Sequence, residues 1–380
     1  MSLICIKCVK DKHLKKLIEN KGSLSRCTIC SEDNIKTIDY ENDDFFQLVK
    51  AVLRYNYSEW EYNTHMGGDD YEDLFYGDEN IFFNIERAIS VEVYEDFVLN
   101  IIGGSAYEDY DRGISIFSGY NDGMQNMPLR SIKSSVDNEI LKISSRLKTE
   151  NYFLLESELL AILKKYKEIA EKQYDADSLF YRARVGTEEQ KRCISLGFES
   201  ENHYTPYSCD KISCPPPQYA SAGRINRPGV SFFYCATNIY TAVSEVRPHP
   251  GDYVSVGKFS LNHKVKLFDL SDSQLINFYS NDQLLDSYIP FHTLTILINK
   301  VIPPSERQHY SITQLIADCI RQLGFDGILF SSTVGDGKNI VIFDANVMKY
   351  TSDEQCVLKI EKVQYEYGVV PLIKEDEAYH

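Results

Sequence analysis

The stretch Phe180-Tyr-Arg-Ala-Arg-Val185 reads as a strand, and it marks the point where the texture of this 380-residue chain changes. Before it, apolar residues recur at helical spacing. After it come short runs rich in β-branched and aromatic residues, at 180–185, 230–235, 253–259, 265–270, 327–330 and 340–343. Helices are expected only at 238–246, near 284–298 and at 311–323, the last with Ser311 as N-cap and Gly324 just past its end. Strands with occasional helices and no steady βαβ alternation predict an α+β fold with mixed or antiparallel sheets.

Upstream, Phe45, Phe46, Leu48, Val49, Val52 and Leu53 keep a helical period behind Asp43 and Asp44 as candidate caps. Residues 81–102 suit one or two helices, and 103–128 read as loop with a short strand possible at 114–117. Leu155, Leu159, Ile162, Tyr166 and Ile169 predict a long amphipathic helix over about 152–173. The first 30 residues carry Cys5-x-x-Cys8 and Cys27-x-x-Cys30, the spacing of a two-knuckle zinc module. Four thiolates leave no open ligand position, so the zinc is expected to be structural and to supply folding energy to a module too short for a core. His13, between the knuckles, is expected on the surface. Cys235 and Cys319 read as buried small hydrophobes.

The expected organisation is a zinc knuckle at 1–35, a helical domain at 36–175, a mixed β domain at 176–365 and an acidic tail at 366–380. The net charge of −16 belongs almost wholly to the second of these: residues 31–111 alone balance to −17, while 1–30 come to +5 and 176–365 to −2. Such a surface argues against a protein built throughout for nucleic acid, and no nucleic-acid partner is expected. At 43% hydrophobic and 25% charged the chain is globular rather than disordered. With no run of 18 apolar residues and no readable signal peptide, a cytoplasmic, membrane-free protein with reduced cysteines is expected.

Arg182 and Arg184 lie two apart on a strand, so both guanidinium groups leave one face, where an anion such as phosphate would suit their fork geometry. The Pro/Gly-rich run from Pro215 to Gly229 carries Arg224, Asn226 and Arg227, again suited to phosphate and hydroxyls. Ser231–Arg247 places Tyr234 and Glu245 in one strand–turn–helix unit, and Gly327–Asn339 brings Ser331, Ser332 and Asn339 together around a glycine loop. That loop lacks the Walker A spacing. Taken singly, the residues have plainer readings: Glu245 paired with Arg247 on a helix surface, the two arginines solvating an edge strand, Tyr234 in a core. The serines have no neighbouring histidine in sequence, so a Ser-His-Asp triad finds little support.

Taken in order, Arg182/Arg184, Gly223-Arg224-Ile-Asn226, Tyr234, Glu245, Tyr310-x-x-x-Gln314, Asp326-Gly-Ile, Ser331/Ser332 and Asn339 resemble the RES domain over roughly 178–346. The resemblance implies an ADP-ribosyltransferase-like fold and consumption of NAD+, typically as the toxin of a toxin–antitoxin pair. It implies Glu245 as the carboxylate beside the ribose carbon, Arg224 and one or both of Arg182 and Arg184 on the pyrophosphate or ribose, and Tyr234, Asn226 and Asn339 at the substrate. It also implies a ribose or carboxamide contact from Ser331 or Ser332, with Ser332 preferred. Hydrolysis, phosphorolysis, ADP-ribosyl transfer and an inactive nucleotide-binding module all stay open at this stage. The N-terminal part resembles the HEPN-like segment of longer RES proteins, without the Arg-to-His motif of the ribonucleases among them. That half is expected to regulate the catalytic domain, through homo-oligomerisation or by receiving an antitoxin or trigger protein, in a toxin or phage-defence setting.

Overall fold

The computed structural model describes residues 2–62, 67–78, 80–102, 130–194, 200–271, 274–300 and 310–370. The loop expected at 103–128, with its strand at 114–117, lies outside the described residues, as does most of the acidic tail.

The chain opens with β1 (Leu3–Cys5), α1 (Lys12–Lys21), β2 (Ser23–Ser25) and β3 (Ile35–Asp39), whose strands pair antiparallel in the order β1-β3-β2. The Asp11 carboxylate caps α1, accepting from the N–H groups of His13 and Leu14 at 2.8 and 3.0 Å. His13 is not at the surface as expected: it belongs to the buried stripe of α1 with Leu14, Leu17 and Ile18. α2 (Asp43–Asn56) is capped by Asn42 instead of Asp43 or Asp44, which sit in the first turn where the helix dipole favours acid. α3 (Val91–Ile102) and α4 (Asn138–Arg146) follow.

α5 (Tyr152–Lys164) stops about two and a half turns short of expectation. Beyond it Tyr166 is still buried, but single turns carry the chain there before β4 (Glu171–Tyr174), so the apolar spacing outlives the helix. Then come β5 (Leu179–Val185), the hairpin β6 (Glu189–Ile194) and β7 (Ser200–Thr205), β8 (Phe233–Ala236), α6 (Ile239–Glu245), β9 (Tyr253–Leu261) and β10 (Val265–Asp269). The chain continues through α7 (Asp282–Asp286), α8 (Tyr288–Asn299), α9 (Ser311–Gln322), β11 (Gly327–Ser331), β12 (Lys338–Ile342) and β13 (Met348–Lys359). Ser311 is the first residue of α9 instead of its cap, while Gly324 past its end takes φ +84° as a C-terminal glycine should. Cys235 and Cys319 are buried as expected, and burial pushes each thiol up to about 12.

The fold is α+β, and its strands pair in both senses. β10 and β11 are parallel, with Leu267 opposite Gly327, and α7, α8 and α9 form the crossover that a parallel pair requires. β13, β9, β5, β8 and β12 pair antiparallel in that order, so β5 is an interior strand and not the edge strand of the plainer reading. No described helix is long and apolar enough to cross a membrane.

The chain divides into two compact units. The first comprises Met1–Lys172, Ser221–Pro228 and Lys266–Ser331; the second comprises Gln173–Ala220, Gly229–Val265 and Ser332–His380. Within the first, α2 meets α7 through two buried cations. Lys50, whose side chain is 2% exposed, lies 2.8 Å from Asp282, and one turn on Arg54 lies 2.8 Å from Asp286. Burial lowers the pKa of Lys50, and the carboxylate of Asp282 opposes that shift. Asp282→Ala should therefore cost up to about 3–5 kcal/mol in urea unfolding, by taking away the carboxylate that the buried lysine faces. Lys50→Met combined with Asp282→Leu should recover most of it.

Candidate active site on helix α6

α6 starts where the Asn238 side chain accepts from the Thr241 N–H at 2.7 Å, and it ends at Glu245. Two residues on, Arg247 turns the chain at φ +49°, a conformation that favours glycine. The helix packs on Ala183, Ala236, Val254 and Val256 through Ala242, small residues that allow close approach. On that face of the sheet Asn339 stands opposite Ala236. Asn339 Nδ2 donates to Glu245 Oε1 at 2.6 Å, and Ser332 Oγ donates to the same oxygen at 2.7 Å. Glu245 thus joins Ser332 and Asn339, where its plainer reading had it paired with Arg247. The Ser332 hydroxyl also accepts from the N–H groups of Val334 and Gly335 at 3.2 and 3.1 Å, which ties the glycine loop to the carboxylate.

The loop could not carry side chains where its glycines stand. A Cβ on Gly335 would lie 2.6 Å from Thr241 Oγ1 and 2.9 Å from Thr241 Cα; one on Gly337 would lie 2.5 Å from Asn238 Nδ2. Gly337 N–H donates to Thr241 Oγ1 and Lys338 N–H to Thr237 Oγ1, both at 3.0 Å. Three polar residues at the start of α6 therefore position the loop that bears on its end. Thr237, Asn238 and Thr241 were not picked out by sequence reasoning, since nothing local separates them from an ordinary cap. Glu245 is exposed and Asn339 buried, so a carboxylate held by neutral donors faces solvent.

Arg182 and Arg184 leave the opposite face from Ala183, and so from α6. Arg182 is half-buried: Nε donates to the Ile212 carbonyl at 2.8 Å and Nη1 to the Tyr234 carbonyl at 2.6 Å, with the guanidinium 5.3 Å from the Phe233 ring centre. Desolvation lowers its pKa, and the two carbonyl oxygens offset part of that cost. Arg184 is exposed, donates to the Lys211 carbonyl and lies 4.5 Å from the centre of the Tyr207 ring. Tyr234 is half-buried in β8 and faces the same side as Ala236. Ser331 ends β11, one residue before the serine that meets Glu245.

Arg224 belongs to the first unit. Its Nη1 donates to the Ile298 carbonyl at 2.9 Å, and its own carbonyl accepts from the Thr313 hydroxyl. Gln314 Nε2 donates to the carbonyls of Gly223 and Asn226 at 2.9 and 3.0 Å. Asn226 is buried and turned inward, with Nδ2 donating to the carbonyls of Ser221 and Arg227 at 2.9 and 3.2 Å. Its side chain shapes the loop.

At the N-terminus, Cys5, Cys8, Cys27 and Cys30 bring their sulfurs within 4.8 Å of one another and form no disulfide. Neighbouring pairs are 3.6, 3.7 and 3.9 Å apart. A tetrahedral ion with bonds of about 2.3 Å has sulfur–sulfur edges of about 3.8 Å, so the group fits a metal of that kind. Four thiolates at such spacing repel unless a cation lies among them. Arg87 Nη2 reaches Cys30 Sγ at 3.9 Å and Glu32 at 2.6 Å, a positive group beside what would be an anionic centre.

An exposed carboxylate held by a serine and an asparagine within an α+β fold is the arrangement on which the family comparison bears. Residues 198–361 match the model of the RES domain. The match begins after β5, leaving Arg182 and Arg184 outside it, and runs on through β13. Among solved structures, a chain of the crystal structure of the M. tuberculosis MbcT–MbcA toxin–antitoxin complex is similar at 10% identity and a TM-score of 0.30, covering 52% of this chain and 92% of that one. No curated protein matches the sequence.

Gly335→Ala should force the loop off Thr241 at a cost of about 1–3 kcal/mol. The expected signature is a lowered thermal midpoint together with faster hydrogen exchange at the amides of Val334 and Gly335, which Thr241→Ser should leave unchanged.

Proposed function

We propose that this chain cleaves the nicotinamide–ribose bond of NAD+, with Glu245 as the catalytic carboxylate, and that it acts as a toxin or defence effector. The observation that carries the reading is the convergence of Ser332 and Asn339 on one oxygen of Glu245 within the stretch that matches the RES domain model. With Oε1 held by two donors, the carboxylate is oriented and its second oxygen is left for a ligand. When the bond breaks, nicotinamide leaves as a neutral base with the bonding electron pair, and positive charge develops at the ribose carbon. An oriented carboxylate beside that carbon stabilises the charge, and it can accept the proton of the attacking water. No strong general acid is needed, which suits a site with one carboxylate at its centre.

In this reading Ser332 and Asn339 orient Glu245, and Tyr234 and Ser331 flank the substrate. Arg224 serves the pyrophosphate, with Asn226 shaping its loop. Arg182 spends its donors on two carbonyl oxygens and serves structure, whereas exposed Arg184 keeps donors for an anion. An activity that drains NAD+ needs restraint, and the acidic region 31–111 is the part we assign to an antitoxin or trigger protein.

Glu245→Gln keeps the shape and removes the charge, so turnover of NAD+ should fall about a hundredfold or more. Product chromatography with and without inorganic phosphate separates free ADP-ribose from its phosphorylated counterpart. Label transferred from NAD+ to a macromolecule would instead make the chain a transferase. Full turnover by the glutamine variant would sink the mechanism.

We further propose that Cys5, Cys8, Cys27 and Cys30 hold a structural zinc ion, whose chemistry is confined to cross-linking the two knuckles. Elemental analysis of the full chain should give about one zinc per molecule. Cys27→Ser should lose it and unfold at lower temperature, whereas Cys193→Ser, an exposed thiol elsewhere, should do neither.

A further inference from the structure

We infer that Tyr152, on the first turn of α5 in the N-terminal part of the chain, is a positioning residue for the loop that carries Arg224. This rests on the reading of Arg224 as an NAD+ contact. The phenol of Tyr152 donates to Asp318 Oδ2 at 2.5 Å and accepts from Arg227 Nη2 at 2.9 Å. Arg227 also donates from Nε to Asp318 Oδ2 at 2.9 Å, with a second bond from Nη2 to the same oxygen, and its guanidinium lies 4.3 Å from the centre of the Tyr152 ring. The three side chains form a closed triangle. Burial and the neighbouring Asp318 carboxylate push the pKa of the phenol up, so it keeps the proton it donates.

The triangle matters because of where Arg227 sits. It is three residues from Arg224, at the end of a turn closed by the Gly223 N–H on the Asn226 carbonyl at 3.0 Å. Thr313 and Gln314 of α9 hold the carbonyls of Gly223, Arg224 and Asn226. Asp318, one turn beyond Gln314, holds the far end of the loop through Arg227. α9 therefore binds the backbone on one side, and Tyr152 closes the side-chain bonds on the other. The N-terminal helical region is thus part of the substrate-binding apparatus by direct contact. It need not wait for a partner to influence the reaction.

The test compares wild type, Tyr152→Phe, Arg227→Asp and the swap Arg227→Asp/Asp318→Arg in the full chain, reading both NAD+ turnover and hydrogen exchange over 221–229. Tyr152→Phe keeps the ring under Arg227 and removes two charge-assisted bonds. It should raise KM for NAD+ by about five- to tenfold, with kcat within about twofold, and speed exchange of the loop. Arg227→Asp should do the same more strongly, and the swap should return both readouts toward wild type. A merely structural tyrosine would lower the thermal midpoint without the selective KM rise or the rescue, and that result overturns the inference. So does loop exchange unchanged in Tyr152→Phe. Faster loop exchange in a chain whose wild type leaves NAD+ intact would instead overturn the functional reading and leave the clamp standing.

Discussion

The glycine loop between β11 and β12 touches the start of α6 with no room for a Cβ, and the arrangement around Glu245 depends on that contact. If the loop stood off by the width of a methyl group, Thr241 and Thr237 would lose the amides of Gly337 and Lys338. Ser332 and Asn339 flank those residues, and they set the carboxylate. The helix that supplies Glu245 at one end thus supplies, at its other end, the surface that aims its partners. The pairing of β8 with β12 completes the circuit by placing Asn339 over Ala236 on the helix-covered face.

A second constraint acts on Arg224. Its loop is shaped by helix α9 and by a tyrosine about seventy residues earlier in the chain, so the parts that sequence order separates are structurally one body. The division of the chain follows this: residues 221–228 and 266–331 pack with 1–172. The buried pairs of Lys50 with Asp282 and Arg54 with Asp286 lie in the same body. Each joins a residue before 60 to one after 280, and removing either partner leaves the other's charge less well compensated.

Much of this was legible in the sequence where the signal was local. The strands at Phe180 and Ile340 announced themselves by residue type, α9 by its buried stripe, and the cysteine cluster by its spacing. The order of short motifs was sufficient to bring Glu245, Ser332 and Asn339 into one argument. Signals failed where they depended on partners far along the chain. The hairpin β6–β7 is too polar to show alternation, and β13, bulged between Thr351 and Cys356, breaks its own period. Tyr152, Thr241 and Asp318 are ordinary residues for their helices, and only the fold reveals what they touch. The face on which Arg182 and Arg184 emerge was predictable, but not that it is the face turned away from α6. The overlong expectation for α5 shows the limit of periodicity: a burial pattern persists through turns after the helical hydrogen bonds have ended.

The discontinuous first unit also bears on how the protein is made. Its opening 172 residues emerge from the ribosome long before residues 266–331, without which that body is incomplete. At 5–20 residues per second the wait is roughly ten to thirty seconds. Ser332 and Asn339 come later still, and β13 last. A nascent chain, or one ended early by a broken message, therefore has Glu245 without the residues that orient it. For a protein whose proposed reaction would starve its own maker, synthesis order then acts as a safeguard, because Glu245 is made before the serine and asparagine that hold it.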